Sequence, residues 1–163
     1  MIAMFFGVLG VAANVIIYQQ KSGKKLLMYK LISDVIWMLH YLSLNAISGA
    51  LVAGIGIIRE TVFLNQNKKW AQSKLWLVLF LILSVLSAAF TWKNVFSVLP
   101  ALASVLSVYS FWRSKPSLTR TLAFPISASM LTYDLACGSY MGICNEIFTL
   151  GSAIVGIFRN RKK

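Results

Sequence analysis

Apolar residues in this chain run in blocks, not in alternation. Seven stretches, at about 2–18, 26–44, 47–64, 75–91, 95–112, 119–137 and 141–158, are separated by short polar turns. Each is close to the roughly 17–25 residues that cross a hydrocarbon core as a helix. Backbone groups in lipid must bond within their own segment, and the blocks lack the in/out alternation over ~10 residues of a membrane barrel. The pattern therefore predicts an all-α polytopic membrane helix bundle of seven spans, forming a single transmembrane domain over residues 1–163. Turns near Asn45, Lys93 and Ser139 are very short, so spans 2–3, 4–5 and 6–7 are expected to be tight antiparallel hairpins.

Composition agrees. The chain is 58% hydrophobic and 12% charged, with a mean hydropathy of +0.74. A soluble domain carries about a quarter charged residues. The balance of 16 Lys and Arg against 4 Asp and Glu gives a net charge of +12. A nucleic-acid partner is not expected, because the basic residues punctuate the apolar blocks and form no single patch. Lys21, Lys24, Lys25, Lys68, Lys69, Lys74, Arg113, Lys115, Arg159, Arg161, Lys162 and Lys163 follow spans 1, 3, 5 and 7. Lys30, Arg59 and Arg120 lie toward the same side, and Lys93 alone marks the other. Positive residues collect on the cytoplasmic side, which places the amino terminus outside and the carboxyl terminus inside. An even number of spans would break this alternation. The first block has no charge before it and lysines after it, the reverse of a secretory signal, and reads as a retained span. Cys137 and Cys144 flank a predicted external turn. A disulfide between them is conceivable, and two unlinked thiols are the plainer reading.

The two ends of the chain carry a faint internal repeat. LHYLSLNAISGAL around span 2 sits over LTYDLACGSYMGIC around span 6. Each unit runs on into a basic end, NQNKK at 65–69 and RNRKK at 159–163, and Tyr18 and Tyr109 close the first helix of each. One span between two three-helix units leaves the units parallel, a known transporter plan. This three-plus-one-plus-three plan, with Gln19-Gln20 ending span 1, looks like the PQ-loop, SWEET and nicotinamide-riboside-carrier superfamily. More closely, the whole chain resembles the YgjV-type bacterial inner membrane proteins. The resemblance is carried by QQKSGKKLL after span 1, LISDVIWMLHYL in span 2 and SGALVAGIGIIRETVF in span 3. It implies a bacterial inner membrane location and the helical plan, and says little of substrate. The chain departs from the wider superfamily in lacking the proline of the Pro-Gln pair. It keeps Pro100 and Pro125 where SWEET-like carriers hinge on prolines in four helices. Those carriers place pocket asparagines in the third helix of each repeat, the helix that holds Asn145 here.

Candidate chemistry is concentrated in the acids. All four, Asp34, Glu60, Asp134 and Glu146, fall inside or at the edge of predicted spans. An ionisable group in hydrocarbon costs roughly 2.5–3.5 kcal/mol on insertion scales, so such groups face a cavity or a partner. Lys30, Asp34, Trp37 and Tyr41 share one helical stripe, with His40 on its border. Asp34 is a candidate substrate contact or proton carrier, or is simply the i,i+4 partner of Lys30. His40 is a candidate pocket residue or a packing residue beside aromatics. Arg59 is a candidate to close an inner gate or bind an anionic group, with snorkelling to the interface as the alternative, and Glu60 beside it is a candidate gate or interface charge. Asn14 and Asn145 either line a route for solute or pack helices. The stripes Gly7, Gly10, Asn14, Tyr18 and Asn145, Thr149, Ser152, Gly156 suit close helix contact. Pro100 and Pro125 are candidate hinges or fixed kinks.

No HExxH, GxSxG, Walker A or GxGxxG motif is present, and one histidine with two cysteines builds no ordinary metal site. An enzyme is not expected, nor a cofactor or a metal. The sequence points to a small-solute transporter or facilitator in the lipid bilayer, able to form a homo-oligomer. Asn14, Asp34, Trp37, His40, Asp134, Asn145 and Glu146 would surround its pocket. The alternative is a non-transporting receptor, sensor or assembly partner on the same plan.

Overall fold

The computed structural model describes residues 2–92 and 94–161. Lys93, Lys162 and Lys163, which enter the charge argument, lie outside the described residues. Seven α-helices are formed among the described residues: α1 Ile2–Gln19, α2 Gly23–Ser43, α3 Ile47–Leu64, α4 Lys74–Phe90, α5 Val98–Trp112, α6 Pro116–Cys137 and α7 Tyr140–Arg161. Short 3-10 turns at Lys69–Gln72 and Val95–Ser97 precede α4 and α5. Helix ends follow local chemistry. Pro116 stands in the first turn of α6, where its missing N–H is no loss. Gly138, at φ 71, ends that helix, and the Ser139 N–H closes back on the Asp134 carbonyl at 2.9 Å. α2 starts three residues before the predicted span because Gly23, Lys24 and Lys25 continue its helical turn beyond the apolar block. α7 runs on through polar residues to Arg161 for the same reason.

Six helices close a ring. α2 packs on α1 and α3, α6 packs on α5 and α7, α3 meets α5, and α7 meets α1. α4 stands outside, against α3 and α5. Exchanging α1 with α5, α2 with α6 and α3 with α7 leaves this order of neighbours unchanged. Side-chain environments differ between the halves: Tyr18 is buried, whereas Tyr109 is half exposed.

Four segments are long and apolar enough by themselves to cross a membrane: α1, α3, the stretch Val95–Trp112, and α7. α4 is apolar but has 17 residues. α2 and α6 have 21 and 22 residues and dilute their apolar content with polar side chains. Many of these are buried in the bundle, among them Ser33, Asp34 and His40 of α2 and Thr119, Arg120, Ser127 and Asp134 of α6. Large apolar side chains cover the outside, among them Phe5 and Val8 on α1, Val85 and Phe90 on α4, and Ile147 and Phe158 on α7. Such a surface suits lipid and not water.

In lipid there is no hydrophobic drive between helices, so packing and interhelical hydrogen bonds hold the bundle, at roughly 0.5–2 kcal/mol per bond. At the end where α1, α3, α5 and α7 finish, Phe63 packs edge-on against Phe80 and Trp112 at 5.6 and 5.3 Å. That contact seats α4, and Ser84 Oγ lies 2.7 Å from Ser104 Oγ on α5. At this same end the carbonyls that finish α1 have no helical partner. Arg120 donates from Nε to Tyr18 O at 3.0 Å and from Nη2 to Gln20 O at 2.9 Å. Arg159 donates to Gln19 O at 3.1 Å. Two guanidinium groups thus cap a helix C-terminus, where positive charge is favoured. Gly156 makes room for this, since a Cβ there would sit 2.7 Å from Arg120 Nε and 2.8 Å from Tyr18 O. Gln19 ties α1 to α7 through Ser152 Oγ at 2.8 Å.

Candidate functional site

Inside the ring lies a cavity of about 110 Å³. It is lined by Asn14 and Tyr18 of α1, by Lys30, Asp34, Trp37 and Tyr41 of α2, and by Gly49, Val52, Ala53 and Arg59 of α3. Ala103, Ser104, Ser107 and Phe111 of α5, Thr119, Ile126 and Met130 of α6, and Asn145, Glu146 and Thr149 of α7 complete it. α4 contributes nothing. A cavity of this size, with polar groups set among largely apolar walls, has room for several waters or a small solute.

One wall is ionic. The α2 stripe puts Lys30 one turn before Asp34, and the two form an ion pair. Arg59 Nη2 lies 3.9 Å from Asp34 Oδ2 and 2.7 Å from Glu60 Oε1, which also accepts from Arg59 Nε at 3.1 Å. The Arg59 guanidinium lies over the Phe111 ring, 5.4 Å from its centroid. Arg59 is 3% exposed and Glu60 0%. The arginine therefore does not snorkel to the helix end. Gly56 lets α3 approach α2 here, since a Cβ on it would fall on the Asp34 carboxyl.

A hydrogen-bonded relay runs from α2 through α1 to α7. Ser33 Oγ donates to Asn14 Oδ1 at 2.6 Å, Asn14 Nδ2 to Asn145 Oδ1 at 2.7 Å, and Asn145 Nδ2 to Glu146 Oε1 at 2.8 Å. Three helices are joined by one chain of amides ending on a carboxyl. Within the lining, Asp34 Oδ2, Trp37 Nε1, Arg59 Nη1 and Thr149 Oγ1 are buried with no hydrogen-bond partner. Buried polar atoms are normally satisfied, so these donors and acceptors are available to whatever enters.

Two tyrosines end the cavity at the side away from the arginine-capped helix end. The Tyr41 and Tyr133 rings meet edge to face, 6.2 Å apart. Tyr41 donates to Asp134 Oδ1 at 2.9 Å, and Tyr133 Oη accepts from the Gly49 N–H at 3.2 Å. The Tyr41 ring rests on Gly49, where a Cβ would be 2.9 Å from it. Beyond the pair lies a second pocket of about 210 Å³, lined by Asn45, Ser48, Asn94, Ser97, Tyr133 and Cys137 among others. The tyrosines are the partition between the two spaces.

The structure thus brings Asn14, Asp34, Trp37, Arg59, Asn145 and Glu146 to one cavity. Glu60 stands directly behind Arg59. His40 stands outside: Nδ1 lies 2.8 Å from Ala3 O and Nε2 2.9 Å from Ser139 Oγ. A carbonyl only accepts, so this geometry calls for a proton on Nδ1. Asp134 is fully buried beside Tyr41 and under Gly142, whose absent side chain makes room for the carboxyl. Pro100 lies in the first turn of α5, where it interrupts little. Pro125 lies inside α6 and leaves the Thr121 carbonyl without its helical donor. Its own carbonyl accepts from Ser129 Oγ at 3.0 Å. Cys137 and Cys144 are both free thiols. Sequence reasoning did not single out Tyr133, Phe111 or the capping role of Arg120. The pairing of LHY with LTY in the repeat is the one signal that pointed to Tyr133.

A family model described as a bacterial inner membrane protein, Imp-YgjV, matches residues 1–163. No curated protein matches the chain, and no solved structure matches it.

Proposed function

Starting from a chain that belongs to the Imp-YgjV family of bacterial inner membrane proteins, we propose a small-solute transporter or facilitator that works by alternating access. One observation carries the reading: a cavity within a six-helix ring, largely apolar in its walls, lined by all six helices and holding unpartnered buried donors and acceptors. Lipid-spanning bundles keep such groups only where they line a route or meet a partner. In this reading all seven helices cross the inner membrane, with the amino terminus outside and the basic end cytoplasmic. The Tyr41–Tyr133 partition is then the outer closure, and the cavity between α1–α3 and α5–α7 is the solute site. The solute leaves chemically unchanged. Lacking a nucleotide-binding motif, the protein runs on a gradient of solute or ions.

Purified protein in liposomes, offered vitamins, nucleosides and sugars, tests this. Uptake of at least one class, lost in Asp34→Asn, is the expected result. No uptake of any, together with an unchanged cellular phenotype in Asp34→Asn, would sink the reading. A second reading, a non-transporting receptor or sensor, is favoured by the internal pairing of Lys30, Asp34, Arg59 and Glu60, which leaves little charge for a ligand. Water access decides between them. A cysteine placed at Ala53 or Ser107 reacts with small polar thiol reagents in a transporter and stays protected in a sealed core.

A further inference from the structure

The cavity is unbalanced in charge. Its lining carries two cations, Lys30 and Arg59, and two carboxyls, Asp34 and Glu146, with the Glu60 carboxyl buried just behind Arg59. Both cations are taken: Lys30 by Asp34, and Arg59 by Glu60 and Asp34. Among the described residues no cation pairs with Glu146. Its Oε1 accepts from the amide of Asn145, which the Asn14 and Ser33 relay holds in place. Asp134, the other carboxyl without a cation, receives Tyr41 and does not line the cavity. One turn along α7 from Glu146, Thr149 Oγ1 is buried, lines the same cavity and has no partner. A carboxylate and a free hydroxyl oxygen on one helix face, i and i+3, form a pair of hard oxygen acceptors. A buried carboxylate without a counter-charge is strongly disfavoured, so the site calls for one positive charge.

We propose that Glu146 and Thr149 bind a single positive charge, either a monovalent cation or a proton, and that its arrival neutralises the cavity. The binding stands by itself, and its use in coupling rests on the transporter reading. The titratable groups nearest Glu146 are Tyr18 of α1, Lys30, Asp34 and Tyr41 of α2, Arg59 of α3 and Asp134 of α6, and the buried Ser127 hydroxyl of α6 stands beside its carboxyl. α5 lines the cavity without a titratable side chain.

The test uses the full chain in detergent. Unfolding temperature is read by fluorescence while Na⁺, K⁺ or tetramethylammonium replaces N-methylglucamine at constant ionic strength, and pH is varied separately. Anything that binds the folded state raises that temperature. One of the cations, or protons alone, is expected to stabilise the wild type, which also identifies the source of the charge. Glu146→Gln is expected to weaken that response by about tenfold or more, as loss of a charged hydrogen-bonding partner does, and Thr149→Val to weaken it less. For pH, where other groups titrate too, the difference between wild type and Glu146→Gln is the readout. No response in the wild type, or the same response in Glu146→Gln, overturns the proposal. If Glu146→Gln fails to fold, Glu146→Asp and Thr149→Val decide: a displaced response in both supports the site, and an undisplaced one overturns it. A cation response with no solute uptake in liposomes leaves this site standing and removes the transporter reading. Uptake without a Glu146-dependent response does the reverse.

Discussion

Replacing Arg59 by Met tests the ionic wall directly. Met keeps much of the volume and removes the charge. Glu60 loses its only cation within 4.0 Å among the described residues, together with two hydrogen bonds of 2.7 and 3.1 Å. Removing one partner of a buried pair costs about 3–5 kcal/mol, because the other charge is left behind. The guanidinium over Phe111 adds roughly 0.5–2 kcal/mol. Glu60→Met is expected to be milder, since Asp34 Oδ2 stays 3.9 Å from Arg59 as a counter-charge. The double variant leaves neither charge stranded. It is expected to lie within about 1–2 kcal/mol of wild type, as buried pairs replaced by apolar residues often do. The two single effects therefore fail to add by about 2 kcal/mol or more. Equilibrium unfolding in mixed micelles, followed by circular dichroism, measures all three proteins. A loss below about 1 kcal/mol in Arg59→Met would mean that the guanidinium is hydrated at the interface, and strict additivity would mean that the pair is not coupled. Either result refutes the wall as described.

Gly56→Ala drives a Cβ into the Asp34 carboxyl, and a loss of about 1–3 kcal/mol in the same unfolding assay is expected. Arg120→Gln uncaps the end of α1 and is expected to lower stability by about 1.5–3 kcal/mol. Arg120→Lys recovers part of that, because a point charge still favours the helix end but reaches fewer carbonyls. Tyr41→Ala with Tyr133→Ala removes the partition. A cysteine at Ala53 then reacts with a membrane-impermeant maleimide added from the periplasmic side, and unchanged protection would show that other groups make the seal. Reporter fusions after Asn45 and after Arg161 are expected to be active in the periplasm and the cytoplasm respectively, and the opposite pattern would invert the topology.

Helix positions were legible because lipid punishes ambiguity. A block long enough to cross, bounded by polar residues, has little freedom in where its helix begins and ends, so Ile47–Leu64 was predicted residue for residue. The Lys30–Asp34 pair was legible too, since i,i+4 spacing on a helix leaves the two side chains adjacent. What periodicity shows is which face is polar, not what that face meets. Asn14 and Asn145 are 131 positions apart, and Tyr41 finds Asp134 across 93. Neither pairing has a local signature, because each depends on which helices become neighbours. Arg120 read as one more topological charge. Its capping of α1 depends on Gly156 leaving a gap in a third helix, which only the assembled bundle reveals.

The ring is sealed by its first and last helices. Translation at ~5–20 residues per second separates the emergence of Asn14 from that of Asn145 by roughly 7–26 s. During that interval α1 sits in the bilayer with a bare amide, and Ser33, only 19 positions downstream, is the earlier partner to arrive. A nascent chain that stops before Tyr140 is an open trough, the polar groups of its lining turned toward acyl chains along one whole seam. Membrane quality-control proteases that look for misplaced polar groups have an unambiguous mark there, and it disappears only when the last helix docks.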